Sequence, residues 1–196
     1  MADVQATAQN LLRSNRTLAL FLAKMVAAYA VWFVLYDLWL LPDGRFDEWL
    51  SVNVASWTAG LMGLFSDAAL ANGRYVYFHD AGVVIEDGCN GLSALSLFIG
   101  FVLAYPGTWG RRALFIPAGL LVILITNVLR CASLLFISYQ WPEMFASVHG
   151  FHALFVFYVV IFALWVVWTH VGGGDEPAEA GGGEGGALAS PRLSPA

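Results

Sequence analysis

Charge is what this sequence has least of. Only 12% of its 196 residues are Asp, Glu, Lys or Arg, where a soluble globular domain carries roughly 25%. Nine Lys and Arg against fourteen Asp and Glu give a net charge of −5. So few cations cannot meet a run of phosphates, which argues against a nucleic-acid binder. Cysteine is scarce too. Cys89 and Cys131 permit at most one internal disulfide, so there is no disulfide scaffold. No internal repeat is present. What abounds is apolar surface, with 59% hydrophobic residues and a mean hydropathy of +0.70. This excludes an ordinary soluble enzyme and a disordered chain. Eight Trp, seven Tyr and fourteen Phe suit interfacial and lipid-facing surface. The chain reads as an integral membrane protein with one compact domain.

The segments follow from hydropathy and turn residues. Residues 1–17 are polar, with Arg13 and Arg16 ahead of the first apolar run. That run, 18–41, is interrupted only by Lys24 and Asp37 and is long enough to cross a bilayer. It exceeds a signal-peptide core, and no small-residue cleavage pattern follows. The stretch 49–70 is only moderately apolar and reads as an interfacial or re-entrant helix. Two β-like runs, 74–80 and 82–86, predict a small hairpin turning at Asp80-Ala81-Gly82. Three further apolar runs, 92–109, 114–139 and 151–168, complete the spans. The segment 171–196, with eight glycines, three prolines and four acidic residues, predicts a disordered cytoplasmic tail. The expected fold is an all-α membrane bundle over 18–170. It has about four transmembrane helices, an interfacial or re-entrant helix and a small outer hairpin.

Basic residues set the orientation. Arg13, Arg16, Arg111 and Arg112 belong on the cytoplasmic side by the positive-inside rule. The segment 42–90 holds seven acidic residues against two arginines and belongs outside. Cys89 then opens the second span on the outer face, and His149 opens the fourth there. Arg130 lies about 25 Å along the third span, at a similar depth. Three chemically capable residues, scattered over sixty positions, reach one membrane face.

Each has a functional and a plain reading. Cys89, in Asp87-Gly88-Cys89-Asn90-Gly91-Leu92-Ser93, sits at or next to a helix N-terminus, where the dipole favours a thiolate nucleophile. Otherwise it is a packed thiol or is bonded to Cys131. Arg130 lies inside an apolar span, a costly placement that marks function. It could stabilise an oxyanion, with Asn127 one turn earlier orienting it, or snorkel to lipid headgroups. His149, with His152 as the alternative histidine, suits proton transfer to a leaving amine. The pair could also belong to a metal site or pack at the interface. Cys131 points about 100° away from Arg130 around the helix.

These residues resemble the exosortase/archaeosortase family of membrane cysteine transpeptidases. The resemblance covers about residues 80–168. It rests on Cys89-Asn90-Gly91-Leu92-Ser93 opening a helix, Asn127-Val128-Leu129-Arg130 late in the next, and His149 opening the following one. It implies Cys89, Arg130 and His149 as the catalytic set, with Asn127, Asn90 and Ser93 supporting. It also implies a membrane-anchored protein substrate with a C-terminal sorting tail, cleaved at the outer face of the bacterial inner membrane, with or without transfer to an acceptor. No metal or organic cofactor is implied. The rival expectation is a non-catalytic membrane assembly or export subunit whose Arg130 binds lipid headgroups.

Overall fold

The computed structural model describes residues 2–172, and the side chains of 2–14, 17, 151–154, 156 and 157 lie outside that description. The expected tail beyond Gly172 therefore lies outside the described residues. Helix α1 runs over Ala2–Leu35, passes through a π-helical turn at Tyr36–Leu40 and finishes at Leu41–Asp43. Helix α2, Arg45–Gly63, buries Asp47, Leu50, Ser51, Val54, Ala55, Thr58, Ala59 and Met62. Their three-to-four spacing makes one stripe of an amphipathic helix.

That stripe packs against a three-stranded antiparallel sheet, β1 (Ala69–Asn72), β2 (Tyr75–Phe78) and β3 (Ala81–Val84), in the order β1-β2-β3. Asn72 pairs with Tyr75 and Phe78 with Ala81, so Gly73-Arg74 and His79-Asp80 are two-residue turns. Such turns require positive φ at their first position, supplied by Gly73 at 58° and His79 at 54°. In β2, Val76 and Phe78 point to the core while Tyr75 and Tyr77 are exposed. This corrects two expectations: the hairpin is a sheet with a third strand, and its second turn is His79-Asp80. The fold is mostly helical but not all-α. Strand β1 is hard to read because Ala69-Leu70-Ala71-Asn72 contains no β-branched residue.

A 3-10 turn at Asp87–Cys89 leads into α3 (Leu92–Ala104), followed by α4 (Trp109–Gln140) and α5 (Phe145–Val171). Two cores result. One joins α2, the sheet and Cys131, Ala132 and Leu135 of α4. The other joins Phe98 and Val102 of α3, Ile123 of α4, and Ile161 and Trp168 of α5. Helix α4 threads both. At the second core Phe98 packs so closely on Gly119 that a Cβ there would overlap its ring.

The basic turn has a structural use at this end. Arg112 donates to the carbonyls of Val102 (3.2 Å) and Tyr105 (3.0 Å), and Arg111 to that of Val171 (2.9 Å). These are carbonyls that helix C-termini leave without a partner.

Among the described residues, two helices are long and apolar enough to cross a bilayer, Leu18–Asp43 and Trp109–Gln140. Leu92–Ala104 is a shorter apolar helix, and the described part of α5 from Tyr158 to Val171 is apolar as well. The expected second span is thus a 13-residue helix, about 20 Å long against a hydrocarbon core of roughly 30 Å. It stops at Ala104 because Tyr105, which precedes Pro106, is extended. The apolar stretch of α1 is unburied, with Leu22, Val26 and Phe33 facing outward. Helix α2 is not among the candidate spans.

Candidate active site

Helix α4 carries a buried row: Gly119, Ile123, Asn127, Arg130 and Leu134. The spacing of three or four puts them on one face. At the sheet end this face turns polar and meets the turn that holds Cys89. Asn127 Nδ2 donates to the Cys89 carbonyl at 3.1 Å, and Arg130 Nη2 donates to the same oxygen at 2.9 Å. Arg130 Nε donates to Asn127 Oδ1 at 3.2 Å, so amide and guanidinium hold one another as well as the turn. Gly91, the N-cap of α3, has φ +90, and a Cβ there would lie 3.1 Å from Asn127 Nδ2. A side chain at this position would be strained and would crowd the amide that anchors Cys89.

The thiol itself faces α5. Cys89 Sγ lies 3.6 Å from His149 Nε2 across sixty residues of sequence, a distance suited to proton exchange between thiol and imidazole. Both side chains are half-buried. The Phe145 ring stacks on His149 at 5.6 Å and 16°, fixing the imidazole plane. The structure therefore brings Cys89, Asn127, Arg130 and His149 together.

Several details differ from expectation. Cys89 lies next to a helix N-terminus, as expected, but outside the helix itself. It ends a 3-10 turn, two residues before the N-cap of α3. His149 lies within α5, which begins at Phe145, rather than opening it. Arg130 is only 2% exposed and turned inward on Cys89 and Asn127, which does not suit headgroup binding. Its guanidinium binds the carbonyl of the cysteine rather than an open oxyanion site. Asn90 is fully buried, donating to Asp47 Oδ1 at 2.8 Å and accepting from the Leu92 N–H at 2.9 Å, so it braces the turn and does not face a substrate. Ser93 is exposed and lines a groove against α1 with Ala28, Tyr29 and Trp32. Both cysteines are free thiols, and Cys131 is buried in the sheet-end core. The side chain of His152 lies outside the described residues.

Two residues that sequence reasoning passed over also shape the site. Asp47 is 1% exposed and accepts from Tyr36 Oη (3.1 Å) as well as Asn90. Arg74, at the first sheet turn, pairs with Asp87 and with Glu48 (3.3 Å) and donates to Ser51 Oγ (2.9 Å). It ties the sheet and α2 to the turn that ends in Cys89. The signal for Asp47 was its phase: it shares the stripe of Ser51, Val54 and Thr58. Arg74 carried no comparable signal.

Comparison with known proteins adds one match. The transmembrane exosortase family model matches residues 11–166 of the chain. No curated protein and no solved structure matches it.

Proposed function

The chain belongs to the transmembrane exosortase family, and from that premise we propose that it is a membrane cysteine transpeptidase or peptidase with Cys89 as nucleophile. It acts on the C-terminal sorting tail of a membrane-anchored exported protein. The observation that carries this reading is the 3.6 Å approach of Cys89 Sγ to His149 Nε2.

In the reaction, His149 takes the thiol proton as Sγ attacks the scissile carbonyl. A tetrahedral oxyanion forms, and the Arg130 charge stabilises it through space while Nη2 stays on the Cys89 carbonyl. The C–N bond breaks, and His149 returns the proton to the leaving amine. A thioester remains on Cys89. A water or amine acceptor then gives its proton to His149 and attacks the thioester, the C–S bond breaks, and the proton returns to sulfur. Asn127 and Arg130 hold the Cys89 carbonyl, so the turn stays fixed while its thiol reacts.

In this topology both termini are cytoplasmic and the sheet end lies on the outer face of the bacterial inner membrane, with α1, α4, α5 and the short α3 as the four crossings and the bilayer thinned around α3. The support is charge: the positive-inside rule assigns Arg13, Arg16, Arg111 and Arg112 to the cytoplasmic side and the acidic segment 42–90 to the other. The partners are the lipid bilayer and the tail-anchored substrate.

The test is Cys89→Ala in the native host, with the C-termini of exported proteins compared by mass spectrometry. Accumulation of one or more uncut, tail-anchored proteins is expected and names the substrate. An unchanged set of C-termini with the variant at normal levels overturns the nucleophile assignment.

A further inference from the structure

Asp47 carries a buried carboxyl at this end that the reaction above does not use. It lies on α2, 1% exposed, and two donors meet one of its oxygens: Tyr36 Oη at 3.1 Å and Asn90 Nδ2 at 2.8 Å. Its second oxygen is buried with no hydrogen-bond partner among the described residues. Neither donor is a cation. Burying a carboxyl among neutral donors is costly, so packing alone does not account for it. The contact it makes is specific. Asn90 follows Cys89 directly, is fully buried, and accepts at its Oδ1 from the Leu92 N–H that opens α3.

The Cys89 turn is therefore gripped from two sides. Asn127 and Arg130 of α4 hold the Cys89 carbonyl, and Asp47 of α2 holds the next side chain. Tyr36 completes the chain of contacts. It sits in the π-helical turn of α1, an irregularity that helices often carry at functional sites, and its ring stacks on Trp32 at 5.0 Å.

We infer that Asp47 is a positioning residue for Cys89, acting through Asn90, with Tyr36 holding its carboxyl in place. The inference rests on the assignment of Cys89 as nucleophile. It adds that α1 and α2, which carry none of the reacting groups, set the direction of the thiol toward His149.

The test is the rate of Cys89 alkylation by iodoacetamide at neutral pH in the full-length protein in membranes. Peptide mapping separates Cys89 from Cys131, and exported-protein processing is read in parallel. The variants are Asp47→Ala, Asp47→Asn, Asn90→Ala and the Asp47→Ala/Asn90→Ala pair. Asp47→Ala and Asn90→Ala are each expected to slow labelling about tenfold, the scale of one lost buried hydrogen bond. The pair should be no slower than the slower single variant, because both act through one contact. Asp47→Asn keeps an acceptor oxygen and should stay within about twofold of the parent. A parent-like rate in Asp47→Ala, or single losses that multiply in the pair, overturns the inference. If Asp47→Ala does not accumulate, Asn90→Ala decides: an unchanged rate there overturns it as well. The two claims fail separately. Labelling that follows the expected pattern without any processing leaves Asp47 in its role and removes the transpeptidase. Processing that needs Cys89 but is indifferent to Asp47→Ala does the reverse.

Discussion

Two arginines on α4, Arg112 and Arg130, are both buried and both bind main-chain carbonyls, yet they serve opposite ends of the molecule. Arg112 satisfies the carbonyls that close α3, with its guanidinium 4.9 Å from the Trp109 ring centre. Around it the core is apolar: Phe98, Val102, Ile123, Ile161 and Trp168. Arg130 instead holds an irregular turn, and around it the buried set includes Asp47, Ser51, Thr58, Asn90 and Asn127. Where a buried cation meets a helix end among apolar side chains, it completes secondary structure. Where it meets a non-helical turn that carries a thiol, among other buried polar groups, it organises a site. Burial of charge alone does not mark function; the partner does.

That contrast can be broken by substitution. The largest effect is expected from Arg130→Leu, which removes a donor from the Cys89 carbonyl and the charge beside the thiol. Processing should fall by about 10²–10³-fold, as for the loss of an oxyanion donor. Arg112→Leu should instead lower stability by about 1–3 kcal/mol through unpartnered carbonyls and leave Cys89 alkylation in the folded protein as it was. A loss of Cys89 reactivity in Arg112→Leu with stability intact would erase the distinction.

Next in size is a pair of glycines. Gly119→Ala overlaps the Phe98 ring and should cost about 1–3 kcal/mol in a denaturation assay, without slowing Cys89 labelling. Gly91→Ala strains a left-handed backbone and crowds Asn127, for about 1–2 kcal/mol, and should slow labelling as well. Asn127→Ala removes one of two donors to the Cys89 carbonyl, and a few-fold slower labelling is expected, about 1 kcal/mol. The smallest effect belongs to Arg74→Ala. Its ion pairs with Glu48 and Asp87 are partly exposed, so thermal denaturation should show no more than about 1 kcal/mol.

The same contrast explains what could be read without coordinates. Cys89, Arg130 and His149 stand out because each is a reactive or charged group at the edge of, or within, an apolar run, and positive charge at the other end orients the runs. Asn127 is legible from its one-turn spacing to Arg130. The sheet was half legible: β2 alternates Tyr and Val and β3 ends in Val83-Val84, whereas β1 is built from Ala, Leu and Asn and forms only because β2 pairs with it. Asp47 was hidden among seven acidic residues of segment 42–90, and only its phase with Ser51, Val54 and Thr58 separates it from the surface ones. Arg74 and Asp87 are brought together by the sheet turn, which no local pattern encodes. The length of α3 was overread because hydropathy continues past Ala104 while the helical backbone does not.

The most direct measurement is labelling of Cys89 in intact cells by a membrane-impermeant maleimide, in the parent protein and in His149→Ala. Cys89 should be labelled from outside while buried Cys131 is not, and His149→Ala should slow the reaction about a hundredfold, the low end of what a positioned base contributes. Equal rates with and without His149, or a Cys89 reached only after the membrane is opened, would contradict a paired nucleophile on the outer face.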